Sequence, residues 1–428
     1  MQNSLIVFSM SAVLLLGCQS GEAQNTAQNE TQSTAQNAAQ STAQNTTQEL
    51  APAPIEQVRA RLVTPPDTTE IEPITDVPSL TSDVRVSTWV RDLENPWGIE
   101  FIGNDTALIT EKSGRLRLVE NGVLNPEPIQ NIPAVKDDRQ GGMLDVAIDP
   151  DYAENGWVYL SFSHPYESDP KLTMTKIVRG RIKDGVWGDE EALFVAKDEH
   201  YTQRGHHFGS RITFDNDGHL FFSVGDRAVQ DQAQDISYPN GKIHRINRDG
   251  SIPDDNPFIG EAGAYASIYS FGNRNPQGLI FDRRTNILWQ TEHGPRGGDE
   301  INIIQSGRNY GWPEISYGIN YNGTVLTPYK SKEGQAQPVS HWTPSIAPSG
   351  LTVYYGDMFP EWNGRLLAGA LKYEEIRLVD VGNDGTYKSE ASVMRRNGRV
   401  RDVTIGPDGA IYAALPKRIA RLTPKSGG

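Results

Sequence analysis

The chain has 428 residues, a formal net charge of −14, 41 glycines, 27 prolines and a single cysteine. So acidic a chain excludes a nucleic-acid polyanion as a partner. One cysteine excludes an intrachain disulfide and a cysteine-based zinc site. The many glycines and prolines suit an all-β chain of short strands joined by turns.

Residues 5–16 form an apolar run too short to span a bilayer, ending in Leu15-Leu16-Gly17-Cys18. That ending resembles the bacterial lipoprotein signal, although Met1–Ser4 carries no lysine or arginine. The resemblance implies export, cleavage before Cys18 and a lipid-anchored periplasmic protein on the outer membrane. Residues 19–80 are rich in Gln, Asn, Thr and Ala, with TAQN recurring. Without apolar periodicity they cannot offset the entropy of ordering, and read as a disordered tether. The expected organisation is signal 1–18, tether 19–80 and one folded domain 81–428.

From about residue 84 a single unit recurs: an apolar strand, a turn and a second apolar strand. The six copies are WGIEF (97–101) with ALIT (107–110), DVAID (145–149) with WVYLSF (157–162), and RITFD (211–215) with LFFSV (220–224). They continue with GLIFD (278–282) and ILWQT (287–291), GLTVYYG (350–356) and RLLAGA (365–370), and DVTIG (402–406) and IYAAL (411–415). Apolar runs of strand length around Asn-Asp-Gly or Pro-Asp-Gly are hairpins. Six hairpins at irregular spacings of about 50 to 70 residues predict a six-bladed β-propeller of four-stranded antiparallel blades around a central channel. Strand 84–90 is expected to pair near residues 419–422 and close the ring. A pair of β-sandwiches is the rival, but would not need six matching hairpins.

Hairpin geometry places the start of each first strand and the end of each second strand at one mouth of the channel. The polar residues at those positions are Gln140, His206, His207, Arg274, Asn275, Arg399 and Arg401 before first strands, with Trp342 beside them. After second strands come Glu111, Lys112, Asp226, Arg227, Glu292, His293, Gly294, Pro295 and Lys372. Each has a plain alternative: solvated cations, rim histidines, or a tryptophan packed between blades. Convergence on one rim instead predicts a site for an anionic ligand with a base beside it.

The strings NPWGIEF, RQGGMLDVAIDPDY, HHFGSRITFD, FGNRNPQGLIFD, TEHGPRGGDEINII, GRNYGWP, ALKYEEIRL and GRVRDVTIGPDG run through the chain in order. Together they make residues 84–424 similar to the soluble glucose and aldose sugar dehydrogenases that use pyrroloquinoline quinone (PQQ). The resemblance implies an aldose substrate, PQQ and Ca²⁺ as cofactors, and a soluble or membrane electron acceptor. It implies His207 as the catalytic base, with Gln140 and Arg274 beside it. Gln140, Arg274, Asn275, Trp342, Lys372, Arg399 and Arg401 would contact the cofactor. Gly294 and Pro295 would offer carbonyls to the cofactor's calcium, and Glu300 and Tyr310 would bind a second, structural calcium. The following stretch EISYGINYNG contains no aspartate to complete that second site. His206 stands where the glucose-specific enzymes carry an acid, which resembles the broader aldose-oxidising branch. The rival functions are a calcium-dependent propeller lactonase and a noncatalytic carbohydrate-binding propeller.

Overall fold

The computed structural model describes residues 68, 70–74, 77–382 and 384–425. The signal, Cys18 and most of the tether lie outside the described residues.

The strands form six four-stranded antiparallel sheets. Blade 1 comprises β2 (Pro96–Phe101), β3 (Thr106–Glu111), β4 (Arg115–Glu120) and β5 (Val123–Leu124). Blade 2 comprises β6 (Met143–Ile148), β7 (Trp157–Pro165), β8 (Thr173–Lys183) and β9 (Val186–Phe194). Blade 3 comprises β10 (Ile212–Phe214), β11 (Leu220–Val224), β12 (Lys242–Ile246) and β13 (Ile268–Phe271). Blade 4 comprises β14 (Pro276–Asp282), β15 (Ile287–Glu292), β16 (Asp299–Ile303) and β17 (Ser340–Trp342). Blade 5 comprises β18 (Pro348–Val353), β19 (Leu366–Ala370), β20 (Glu375–Val381) and β21 (Tyr387–Arg395). Blade 6 comprises β22 (Asp402–Ile405), β23 (Ile411–Leu415) and β24 (Arg418–Pro424), completed by β1 (Val84–Arg91) from the other end of the chain.

The first strand of each blade touches the first strand of the next, from β2 through β6, β10, β14, β18 and β22 back to β2. That circle is the wall of the channel. The six expected hairpins are all present, and the register Val84↔Pro424 to Arg91↔Arg418 closes the ring as the pattern predicts. Six apolar clusters fill the seams between adjacent blades, such as Trp289, Ile301, Leu366 and Ala368 between blades 4 and 5. Blades covered on both faces explain second strands such as IYAAL and LLAGA, buried at every position.

The tether's last ten residues depart from the expected boundary at 80. Ile71 N–H donates to Tyr317 Oη at 3.0 Å, and His341 Nε2 donates to the Ile71 carbonyl at 2.8 Å. Leu80 N–H donates to the Ser392 carbonyl, and Ser392 N–H to the Pro78 carbonyl. Ile74 packs against the seam between blades 4 and 5, and Leu80 against the next seam. The described residues of this stretch form a strap on the blade edges.

Candidate active site

The His207 loop enters β10, and its conformation is imposed from both sides. His207 has φ +56°, a left-handed backbone uncommon outside glycine. Its N–H donates to Gln140 Oε1 at 2.8 Å, so the residue preceding β6 holds the residue preceding β10. Its carbonyl presses on Gly225, where a Cβ would lie 2.3 Å from the oxygen. Next to that glycine, Asp226 leaves β11 with its own N–H on the Arg274 carbonyl at 2.7 Å.

Asp226 fixes the imidazole. Its Oδ1 accepts from His207 Nδ1 at 2.7 Å, and its Oδ2 accepts from Trp312 Nε1 at 2.8 Å. The donating Nδ1 leaves Nε2 as the acceptor. Burial pushes the His207 pKa below its ordinary 6.5, opposed by the bond to Asp226 and assisted by the charge of Arg274. The contact is therefore a hydrogen bond from a neutral imidazole at pH 7, the protonation state a general base requires.

Beside this loop lies a cavity of 350 Å³ lined by Trp97, Gln140, Phe208, Asn275, Arg399 and Arg401 among others. Asn275 Oδ1 accepts from Gly209 N–H at 3.2 Å, and its carbonyl accepts from His293 N–H. Arg401 has no carboxylate partner among the described residues; Nη1 reaches only Gln277 Oε1, at 3.3 Å. Burial, with Arg399 and Arg211 nearby, lowers its pKa to about 10. Arg274 donates Nη1 to the His293 carbonyl at 3.1 Å, while its buried Nε has no acceptor. Arg399 and Arg401 on its wall, the latter without a carboxylate partner, make the cavity a place for an anion. Below it, Arg211 lies 4.4 Å from the Trp97 ring centroid and pairs with Asp145 at 2.6 Å and Asp402 at 3.0 Å.

A cleft of 760 Å³ adjoins the cavity, sharing His293 and Ala347 with it, and is lined by Gly294, Pro295, Tyr317, Tyr321 and Lys372. The turn there is dense in carbonyls: a Cβ on Gly294 would lie 2.2 Å from the Gly297 oxygen and 2.3 Å from the Gly298 oxygen. Asp299 anchors it, accepting from Gly294 N–H at 2.9 Å and Ala347 N–H at 2.7 Å. One strand away, Glu292 and Glu300 are cross-strand partners. Burial raises both pKa values, and Glu292 raises that of Glu300 further. Asn273 and Asn302 each donate to Glu292 while keeping a buried Oδ1 with no donor.

The structure thus brings His207, Gln140, Arg274, Asn275, Arg399 and Arg401 to one mouth, with Lys372, Gly294 and Pro295 on the adjoining cleft and Glu300 just behind. Trp342, expected against the cofactor, does not belong there. It ends β17, the outermost strand of blade 4, is 1% exposed in the seam and donates Nε1 to Glu390 at 3.0 Å. The Tyr310 hydroxyl donates to the Ile303 carbonyl and accepts from Gln305 N–H, leaving its carbonyl as the ligand atom it can offer. Two residues gain roles that sequence reasoning did not give them. Asp226, noted only as a rim carboxylate, is the partner of His207, and Trp97 forms part of the cavity wall.

Fold and site together define the class, a six-bladed propeller oxidoreductase. The chain belongs to the glucose/sorbosone dehydrogenase family, whose model matches residues 93–423. It is 40% identical over 342 residues to the aldose sugar dehydrogenase YliI of Escherichia coli, covering 79% of this chain and 92% of that one. It is 27% identical over 404 residues to quinoprotein glucose dehydrogenase B of Acinetobacter calcoaceticus, covering 76% and 84%. The apo-form crystal structure of the soluble aldose sugar dehydrogenase from Escherichia coli superposes with a TM-score of 0.74 at 37% identity, covering 80% of this chain and 100% of that one.

Proposed function

We propose that this chain oxidises aldose sugars to lactones with PQQ and calcium, with His207 as the general base. The observation that carries the reading is the Asp226-oriented imidazole beside a cavity whose half-buried Arg401 has no carboxylate partner among the described residues. Relatives named as an aldose sugar dehydrogenase and a quinoprotein glucose dehydrogenase support it.

The residues present suit both groups. Arg401, Arg399 and Asn275 on the cavity, with Lys372 on the adjoining cleft, suit a flat, multiply charged carboxylate. The carbonyls of Gly294 and Pro295 suit a hard cation. Glu300, Glu292 and the free oxygens of Asn273 and Asn302, with the Tyr310 carbonyl, suit a second calcium. When bound, PQQ supplies a quinone that accepts hydride and calcium polarises it.

The chain's own residues do the rest. His207 Nε2 takes the proton of the anomeric hydroxyl as the hydride leaves C1, so the cyclic hemiacetal loses two electrons and its C1–OH becomes the lactone carbonyl. Asp226 keeps Nδ1 protonated and stabilises the imidazolium. Arg274 sets a positive charge near the reacting centre, stabilising negative charge that develops there. Gln140 holds the loop's main chain. The electrons then pass to a soluble or membrane acceptor, and the signal ending in Cys18 supports placing the enzyme on a lipid anchor in the periplasm.

The test is reconstitution. Metal-free protein mixed with PQQ and calcium should reduce a redox dye with aldoses, and only when both are added. Lactone hydrolysis without PQQ, or sugar binding without turnover, would replace the reading with one of its rivals.

A further inference from the structure

We propose that Arg227 is a positioning residue for this reaction, a buried clamp whose guanidinium holds the main chain before His207 and packs on the Phe208 ring after it. The inference rests on the reading of His207 as the base.

Arg227 is 0% exposed, yet it makes no ion pair among the described residues. Its donors go to a ring of oxygens instead. Nε donates to the His206 carbonyl at 3.0 Å, Nη1 to the Thr173 carbonyl at 3.0 Å, and Nη2 to Thr173 Oγ1 at 3.1 Å and to the Arg204 carbonyl. The guanidinium carbon lies 3.6 Å from the Phe208 ring centroid, and Arg227 N–H donates to the His207 carbonyl at 3.3 Å. Residues 204, 206, 207 and 208 are thus each held from one side chain or its own amide. Only a planar fork reaches the three carbonyl and hydroxyl directions at once; a lysine would reach one or two. Residues held in left-handed backbone persist where their surroundings over-determine them, and His207 at φ +56° is such a residue.

Arg227 also acts through charge. Burial lowers its own pKa to about 9, which still leaves it cationic at neutral pH. Its charge lowers the His207 pKa, as does that of Arg274. Asp226 opposes both, while His206 on the same loop and His293 from blade 4 are neutral neighbours with pKa values below 6.5. The side chain thus supplies a fork that shapes the loop and a charge that adds to burial and Arg274 in lowering the pKa of the base.

Two variants separate these functions. Arg227→Lys keeps the charge and loses the fork; Arg227→Met loses both. In the reconstituted enzyme both should lower kcat roughly ten- to a hundredfold, with PQQ affinity changed far less. In cofactor-free protein, NMR titration should show the His207 pKa raised in Arg227→Met and close to wild type in Arg227→Lys. Wild-type kcat in folded variants, or an unmoved His207 titration in Arg227→Met, overturns the proposal. Should Arg227→Met fail to fold, Phe208→Leu removes the platform while keeping the charge, and should lower kcat without moving the titration; unchanged kcat there counts against the clamp. His207→Gln is the control: retained turnover would sink the base assignment, whereas a dead His207→Gln with unaffected Arg227 variants sinks only the clamp.

Discussion

At the residue scale the decisive contact is the 2.7 Å bond between Asp226 and His207 Nδ1. Asp226→Asn removes the carboxylate that raises the His207 pKa, so the base weakens and the wrong tautomer becomes available. Turnover should fall roughly a hundredfold or more. The wild-type acid limb of kcat/KM should lie below pH 6.5, because burial holds the imidazole neutral, and the variant's limb should lie lower still. A limb that stays put would show that another group titrates. Arg401 allows a different test. A half-buried cation with no carboxylate partner among the described residues adds little to the cofactor-free protein, so Arg401→Met should leave its Tm equal or higher. The same change should weaken PQQ roughly ten- to a hundredfold, measured by fluorescence titration, since charge-assisted hydrogen bonds are worth about 1.5–3 kcal/mol. Much of the site was legible because hairpin ends fix which residues meet: Gln140, His207, Asn275 and Arg401 all precede first strands. Trp342 was misread because it ends the outermost strand of its blade, where an aromatic residue can only fill a seam. Asp226 was visible as a rim carboxylate, but no spacing rule names its partner across 19 residues of loop and strand.

At the element scale the hairpins announced themselves through apolar runs around Asp-Gly turns. Gly218 and Gly409 take φ +83° and +77°, which the turns need. The strap at 70–80 was not legible. Among its described residues Ile74 and Leu80 alone are packed against seams, and its hold comes from main-chain hydrogen bonds that no side-chain pattern records. Serial truncation tests its weight. Removing residues 1–69 should leave the propeller's Tm unchanged. Removing residues 1–80 strips two half-buried aliphatic side chains, each worth roughly 1 kcal/mol, and should lower Tm by a few degrees. Removing residues 1–91 takes β1 from blade 6, exposes the edge of β24 and should abolish the cooperative transition. Calorimetry of the three proteins decides it; equal Tm values for the first two would make the strap ornamental.

The molecule as a whole is tied across its channel by a charge cluster drawn from four blades. Arg211, entering blade 3, binds Asp145 of blade 2 and Asp402 of blade 6, and Ile99 N–H of blade 1 donates to Asp402 Oδ2 at 3.1 Å. Glu100 of blade 1 adds a third carboxylate close enough to feel Asp145 and Asp402, with Arg283 opposing them. Burial, then Asp145 and Asp402, raise the Glu100 pKa from 4.5 to about 8. A carboxyl that holds its proton more tightly when folded stabilises the fold at low pH and loses that advantage as pH rises between those two values. Lys242 pulls the other way: burial lowers its pKa to about 7, so it favours the fold as pH rises above that point. The net Tm of the wild type therefore does not isolate the cluster, but Glu100→Gln does. Glutamine resembles the protonated acid, so the variant should match the wild type near pH 5. Its Tm advantage in cofactor-free protein should grow steadily as pH rises, and level off above about pH 8. A difference independent of pH would mean that Glu100 is ionised and solvated in the channel, and that Arg211 joins the blades through the two aspartates alone.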